Sequence, residues 1–452
     1  MNIDRLHNIF FLGIGGIGMS ALARYFNAKG VEVSGYDKTP SDLTCELQQE
    51  GIKIWFEDRQ DIIPTHIDLV VYTPAVPKTT VLFNTLSTRN IPMIKRAELL
   101  GLLTRDVKTI AIAGTHGKTT ISTLVTHILK TAEIKTIAFL GGISVNYKTN
   151  FLGDEYPEWA VVEADEFDRS FLHLHPDVAL ISAIDADHLD VYGSEDAIQE
   201  SFREFVQRIK PDGTLVVKKG IEPTLPFDGR MLTYNCNPPA GIYTSEIKVS
   251  NGKYFAALDG LFQASLREMG LPGRHNLENA LGAAAIAWSL GIDNETITKA
   301  LSTFRGVKRR FETCYQDNNT IYIDDYAHHP VEIRACIHAA RELYPKQKVT
   351  VIFQPHLYSR TRDLAAQFCE SLALADALWL MDIYPARELP IEGVSSEMLL
   401  EKIKLKEKHF VRKEEITGLL DTNTPEVLLT MGAGDVDRLV PVIVETLKKR
   451  KS

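Results

Sequence analysis

The chain has 452 residues, of which 44% are hydrophobic and 24% charged, and its formal charge is 50 − 59 = −9. Such a length suits about three domains of ordinary size, and the acid excess argues against a general nucleic-acid binder while allowing local sites for small anions. No stretch approaches the roughly 18 apolar residues of a membrane span, and the N-terminal run MNIDRLHNIFFLGIGGIGMS is broken by glycines and lacks the basic flank of a secretory signal.

In chain order, short β-rich runs alternate with stretches of helical spacing, which predicts α/β architecture with mainly parallel sheets. Three sections separate. In the first, residues 1–105, NIFFLG reads as a buried strand and GMSALARYFNAKG as a helix stopped by Gly30; VEVSGYD and IDLVVYTPAV are further strands of a doubly wound, Rossmann-like pattern. The second, residues 106–304, opens with the strand VKTIAIAG, which runs into a glycine loop and the helical stretch TTISTLVTHILKTA. The strands WAVVEAD and DVALISAI follow, then a small antiparallel annex over about 212–267, then the helix in LPGRHNLENALGAAAIAWSLG. In the third, residues 305–452, the strands TIYIDDYA, KVTVIFQP, ALWLMDIY and EVLLTMGAG alternate with helices such as PVEIRACIHAARELY. Each of these strands ends on polar or glycine residues, and ligands of open α/β sheets bind at such carboxyl ends. The cysteines Cys45, Cys236, Cys314, Cys336 and Cys369 are scattered without a CxxC pair and are odd in number, as in a reduced cytoplasmic protein.

The loop Gly114-Thr115-His116-Gly117-Lys118-Thr119-Thr120 lies between a strand and a helix, so its backbone N–H groups and the helix start can cradle the phosphates of ATP. Lys118 is placed to reach the β- and γ-phosphates and Thr119 to ligate Mg²⁺. The loop is a short form, because the standard G-x-x-x-x-G-K-[ST] pattern requires glycine where Ile112 stands. The next strand end carries Glu163-Ala164-Asp165-Glu166, which reads either as carboxylates for Mg²⁺ or as a solvated acidic turn. His188, in Asp185-Ala186-Asp187-His188-Leu189-Asp190, reads either as a metal ligand or as a structural histidine. The first section carries Gly13-x-Gly15-Gly16-Ile17-Gly18, with Asp37 at the end of the second strand. That motif demands only a diphosphate on a helix N-terminus, so it fits a UDP-sugar as well as a dinucleotide, and a tight strand–helix turn is the bland reading. Late in the chain come GRHNLEN around Asn279, Lys308-Arg309-Arg310-Phe311-Glu312, Asp324-Asp325-Tyr326-Ala327-His328-His329 and the run from Gln354 through His356 to Arg360. Arginines there can balance phosphate and carboxylate charge. Adjacent histidines without H-x₃-H or C-x₂-C spacing do not make a zinc site.

Taken together the motifs GIGGIGMSALA, GTHGKTT, EADE-x-D-x-SF, DHLDVYG, GRHNLENA, RRFE, DDYAHHPVEI, FQPHLYSRTRDL and GAGD resemble the Mur ligase family, in order and over essentially the whole chain. The resemblance implies three domains, each with a mainly parallel sheet: Rossmann-like, phosphate-loop ATPase-like, and Rossmann-like again. They would hold a UDP-sugar, ATP and an amino acid in turn. The implied reaction joins L-alanine to the lactyl carboxylate of UDP-N-acetylmuramate at the expense of ATP, through an acyl phosphate. Carried over by position, Lys118 stabilises the γ-phosphate, Thr119 ligates one Mg²⁺, and Glu163 and His188 hold a second metal ion. Asn279 and Arg310 (Arg309 as the alternative) match adenine- and phosphate-side positions, and Asp325 (Asp324 as the alternative) matches the ribose position. Tyr326, His329, His356 and Arg360 line up with the amino-acid pocket, and Gly13, Gly15, Gly16, Ile17, Gly18 and Asp37 with the UDP-sugar site. Phe167 and Arg169 depart from the usual EADES continuation. No lysine lies between His188 and Lys210, so the carbamylated lysine of related ligases is not expected.

The rival enzyme is a recycling ligase that joins a ready-made tripeptide to the same sugar nucleotide; it would need a wider C-terminal pocket. Ligases for D-glutamate or diaminopimelate are further rivals. Folylpolyglutamate synthetase shares the short phosphate loop but not the 13–18 loop. A dehydrogenase leaves the 114–120 loop unexplained, and an inactive binding protein predicts loss of Lys118, Glu163 or His188, all present. The expected protein is cytoplasmic, with small-molecule substrates, no nucleic acid, no membrane insertion, and a monomeric or homodimeric state.

Overall fold

The computed structural model describes residues 3–185, 192–386 and 388–450. The first sheet holds β1 (Asn8–Leu12), β2 (Glu32–Tyr36), β3 (Lys53–Trp55), β4 (Leu69–Tyr72) and β5 (Met93–Lys95), in the order β3-β2-β1-β4-β5 and all parallel. The residues of β1 explain its central place. Ile9 and Phe11 enter one apolar cluster with Val33, Leu69 and Val71, while Phe10 and Leu12 enter another with Val70, Leu82 and Leu86. A strand apolar on both alternating faces belongs in a parallel sheet covered on both sides. The helix Ile17–Ala28 leads from β1 to β2, and β4 lies on the other side of β1, so the loop after β1 opens where the strand order reverses.

The second sheet contains β6 (Lys108–Ala113), β7 (Thr136–Phe139), β8 (Phe151–Gly153), β9 (Trp159–Glu163), β10 (Val178–Ile181), β11 (Thr214–Lys218), β12 (Arg230–Tyr234), β13 (Ile242–Ser250), β14 (Lys253–Gly260) and β15 (Ala264–Glu268). Its order is β15-β14-β13-β12-β11-β10-β6-β9-β7-β8. Strand β6 lies between β9 and β10 and is parallel to both, so the chain segments leaving these three strands emerge side by side. The helix Lys118–Thr131 follows β6, and residues 119–129 are all buried. Burying so many hydroxyls is tolerated because they donate back to carbonyls of the preceding turn: Ser122 and Thr123 to Thr119, and Thr126 to Ser122.

The first two sections of the sequence share one apolar core. Met19, Leu22 and Phe26 of the first helix pack in the same cluster as Ala111, Ala113, Phe139 and Val162 of the second sheet. Tyr25 adds ring contacts to Phe139 and Phe151 at 5.7 and 6.0 Å. A buried polar clasp lies beside them. Arg24 pairs with Glu46 and Glu50 and donates to Asn150 Oδ1 at 2.5 Å, and Asn150 donates to the carbonyl of Ile17 and the hydroxyl of Ser20.

By compactness the chain divides into two units. One comprises Met1–Thr244, Leu258–Ala264 and Asn279–Leu301; the other comprises Ser245–Ala257, Ser265–Glu278 and Ser302–Ser452. The second unit contains the third sheet: β16 (Glu312–Gln316), β17 (Ile321–Asp325), β18 (Val349–Phe353), β19 (Ala377–Leu380), β20 (Glu407–Phe410) and β21 (Val427–Met431). The order is β16-β17-β21-β18-β19-β20, parallel except for β16 at the edge. Tyr322, Ile352, Trp379 and Leu428 build the core on one face with Ile443 and Leu447 of the last helix.

Candidate active site

The 114–120 loop is shaped by two glycines in left-handed backbone, Gly114 at φ 122° and Gly117 at φ 83°. Neither position has room for a side chain: a Cβ on Gly114 would lie 2.3 Å from Ser182 Oγ, and one on Gly117 would lie 2.4 Å from Asn279 Oδ1. Ile112, where the standard motif has glycine, is a buried residue of β6 and lies before the turn that these two glycines make. Gly117 is the cap of the following helix, so the loop delivers its N–H groups at a helix start.

The ends of β9 and β10 converge on this loop as the strand order requires. Glu163 Oε2 accepts from Thr119 Oγ1 at 3.2 Å, while its Oε1 accepts from Ser122 Oγ at 3.2 Å and from the Gly141 N–H at 2.6 Å. Beyond β10, Asp185 accepts at 3.4 Å from Thr115 and stands 3.2 Å from His116 Nε2. The Ser182 hydroxyl donates to the His116 carbonyl, and Thr120 is buried in the first turn of the helix. His188 lies outside the described residues, as do Asp187 and Asp190.

Lys118 is held by Glu166, an acid inside the motif to which the sequence reading gave no separate role. Its ammonium donates to both Glu166 oxygens, at 2.9 and 2.7 Å, and to the Gly114 carbonyl at 2.7 Å. Burial pushes the lysine pKa down, but the charges of Glu166, Asp165 and Glu163 outweigh it and leave it raised, so Lys118 is a cation.

The 13–18 loop in the same unit is built by similar rules. Gly13 has φ 87°, and the N–H groups of Gly13 and Ile14 donate to the Tyr36 carbonyl at the end of β2. The N–H of Gly15 donates to Asp37 Oδ2 at 2.8 Å. Gly16 caps the helix Ile17–Ala28 without a side-chain bond, and Ile17 begins the helix. Gly18 gives close approach to Arg96, whose nearest guanidinium nitrogen would be 3.0 Å from an added Cβ. Arg96 also stands 3.7 Å from Asp165, which makes it a cation between the 13–18 loop and the acid stretch after β9. It escaped the sequence reading because it belongs to no motif; its one signal is its place directly after β5, at a strand end.

In the second unit the loop after Val307 is folded tightly against the end of β17. Arg309 (φ 62°) and Phe311 (φ 51°) are left-handed non-glycine residues on either side of Arg310, the local strain that accompanies functional loops. The side chain of Arg309 is occupied with Asp324 at 3.2 Å, the Gly432 carbonyl at 2.7 Å and Asp437 at 3.3 Å. Arg309 and Arg310 both lie over the Tyr326 ring, at 5.0 and 5.1 Å, and of the two it is Arg309 that anchors the loop through these bonds. Asp325 is buried and accepts from the N–H groups of Phe311 and Ala327, both at 2.7 Å; burial is the main cause that raises its pKa to about 7. Here its carboxylate braces the chain.

The rings of Tyr326, His328, His356 and Tyr384 form a continuous set, with centroid separations of 5.4, 6.2 and 5.8 Å. Burial pushes His328 down to about 4, so its ring is neutral, and Arg360 lies within its electrostatic reach. His329, the histidine chosen from the sequence, is the cap of the helix Pro330–Leu343, with Glu332 completing a capping box. Of the two adjacent histidines, one ring thus caps a helix and the other joins the aromatic set. A cleft of about 390 Å³ opens beside this set, lined by Gln354, Tyr384, Arg412, Lys413 and Asp435 among others.

Three family profiles match the chain: the Mur ligase family catalytic domain over residues 8–108, the Mur ligase middle domain over 112–287, and the Mur ligase glutamate ligase domain over 309–434. A UDP-N-acetylmuramate–L-alanine ligase of Flavobacterium psychrophilum is 48% identical over 455 aligned residues, covering 100% of both chains. One from Flavobacterium johnsoniae is 46% identical, covering 99% of this chain and 100% of its own. Among solved structures, the UDP-N-acetylmuramate–alanine ligase of Thermotoga maritima superposes with a TM-score of 0.85 at 29% identity, covering 98% of this chain and 99% of that one. Among the described residues, no helix is long and apolar enough to cross a membrane.

Proposed function

Because this chain belongs to the Mur ligase family, we infer that it is the ATP-dependent ligase that joins L-alanine to the lactyl carboxylate of UDP-N-acetylmuramate in peptidoglycan precursor synthesis. The observation that carries the choice of amino acid is the full-length identity of 48% with a ligase of that specificity. A recycling ligase for tripeptides is not retained, because relatives at 42–48% identity over nearly the whole chain carry the L-alanine name.

In this reading residues 1–105 hold the UDP-sugar, 106–304 the ATP and 305–452 the alanine. The lactyl carboxylate attacks the γ-phosphate, ADP leaves, and alanine's amine then attacks the acyl phosphate through a tetrahedral intermediate, releasing phosphate. The first step brings two anions together, so the protein must supply fixed positive charge where negative charge gathers. Lys118 supplies it at the γ-phosphate, and the N–H groups of the 114–120 loop hold the remaining phosphate oxygens. Thr119 Oγ1 and Glu163 Oε2, 3.2 Å apart, are hard oxygen donors of the kind Mg²⁺ takes; Thr119 is assigned to one Mg²⁺, and Glu163 with His188 to a second metal ion. The metal, when bound, neutralises charge on the phosphates. Asn279, beside Gly117, is assigned to the nucleotide, as are Arg310 and Asp325. Asp37 and the 13–18 loop are assigned to the UDP-sugar, with Arg96 as a further cation for its acid groups. For alanine, Arg360 is the carboxylate anchor, Tyr326, His329 and His356 are walls, and neutral His328 joins them without adding positive charge against the amine. The enzyme is assigned to the cytoplasm, as a monomer or homodimer without a nucleic-acid partner.

Phosphate release measured across a panel of amino acids and peptides tests the assignment. Release is expected only when UDP-N-acetylmuramate, ATP and L-alanine are all supplied. Release with the murein tripeptide and not with alanine would overturn it.

A further inference from the structure

We propose that Glu166 is a resting-state clasp for Lys118, and that it makes nucleotide binding at the 114–120 loop depend on the divalent cation that arrives with the nucleotide. This rests on the reading of Lys118 as the phosphate-binding lysine. The three donors of the Lys118 ammonium are matched by three acceptors, the two Glu166 oxygens and the Gly114 carbonyl. The clasp is built into the chain. The Glu166 carbonyl accepts from the Tyr192 hydroxyl and from the Arg169 N–H. The Asp165 carbonyl accepts from the Phe171 N–H at 3.0 Å. Lys95 pairs with Asp168 at 2.8 Å, in a turn where Asp168 and Arg169 both take left-handed backbone. Glu166 is only 2% exposed.

A phosphate that draws Lys118 to itself takes two charge-assisted hydrogen bonds from a carboxylate with almost no access to water. Losing such bonds at a buried ion is far more costly than at the surface. Asp165 and Glu163 add negative charge around the lysine, so the change is unfavourable unless another cation enters. ATP with its divalent cation brings one; bare ATP or inorganic phosphate does not. The clasp would therefore keep the loop closed to metal-free anions.

The test is direct binding to the full chain, by calorimetry, of ATP with Mg²⁺ and of ATP in excess chelator. Glu166→Gln keeps the shape and one acceptor for Lys118 but removes the charge. It is expected to tighten metal-free ATP by about tenfold or more and Mg-ATP by about threefold at most, so that the ratio of the two constants shrinks. Glu166→Asp keeps the charge and should hold the wild-type ratio to within about threefold. Glu166→Ala reads the same ratio should the glutamine variant fold poorly, and is expected to move in the same direction. An unchanged ratio in the uncharged variants, or equal weakening of both ligands, overturns the clasp. Lys118→Ala separates the two readings: if it binds both forms of ATP as wild type does, the phosphate-lysine assignment itself fails, whereas lost binding there with an unchanged Glu166→Gln ratio rejects the clasp alone.

Discussion

The two glycine loops of the first unit make an instructive pair. Each leaves a central strand of a parallel sheet, β1 or β6, and each starts a helix. In each, an acid of the chain holds a donor of the loop: Asp37 accepts from the N–H of Gly15, and Glu166 from the ammonium of Lys118. They differ in water access. Asp37 is partly exposed and can be rehydrated when displaced, whereas Glu166 is buried and cannot. One loop therefore holds a single N–H···carboxylate hydrogen bond near solvent, and the other a buried ion pair. Similar sequence patterns thus carry different thresholds for their ligands.

The largest break in this comparison is expected from Lys118→Ala. Removing the cation from the second loop should lower alanine-dependent phosphate release by at least about a hundredfold, with the fold intact by circular dichroism. Nothing in the first loop has an equivalent. Glu163→Gln comes next: it should raise the Mg²⁺ concentration for half-maximal rate by about tenfold, since a charged ligand is replaced by a neutral one. An unchanged Mg²⁺ requirement would remove Glu163 from the metal site.

Alanine substitutions at the first positive-φ glycine of each loop, Gly13 and Gly114, sharpen the comparison further. A Cβ on Gly114 would meet Ser182 Oγ at 2.3 Å and backbone nitrogens at 2.9 Å, while one on Gly13 would meet only the side chains of Thr73 and Val76, at 2.6 and 3.0 Å. Side chains yield more easily than backbone, so Gly114→Ala should lower unfolding stability more than Gly13→Ala; about 1–3 kcal/mol is the scale for such strain. Asp37→Asn should affect the sugar nucleotide alone, raising its KM by about tenfold or less while the KM for ATP stays put.

The smallest effect concerns acid. The helix after the second loop carries His127, bonded to Tyr147 at 2.8 Å and pushed by burial down to about 4; the helix after the first loop carries no histidine. An imidazole depressed in the folded state is stabilising above its unfolded pKa of 6.5, and that contribution is lost as pH falls from 6.5 toward about 4. His127→Gln should flatten the pH dependence of unfolding across that window, as followed by thermal melts; an unchanged slope would show that His127 does not stay neutral in the folded chain.

The strands and their ends were legible from the residues. Continuous apolar runs such as KTIAIA and NIFFL allow little else than buried parallel strands, and the polar residues that stop them mark where the site lies. The 114–120 loop needed only its glycines and its place between strand and helix. The roles inside clusters were less legible. His328 and His329 are equivalent in sequence; the capping box with Glu332 takes the second and leaves the ring of the first among Tyr326 and His356. Arg309 and Arg310 look interchangeable until the buried Asp324 claims one of them.

By itself, then, the sequence determined the α/β class, the order of the elements and the family, because these follow from periodicity, from glycine and proline chemistry, and from motifs that are contiguous in the chain. Only the tertiary structure decided that the first two sections share one core, that Arg96 stands between the 13–18 loop and Asp165, and that Glu166 grips Lys118. Those hydrogen bonds join residues 48 to 133 positions apart, and such pairings depend on strand order and burial, which no local pattern encodes.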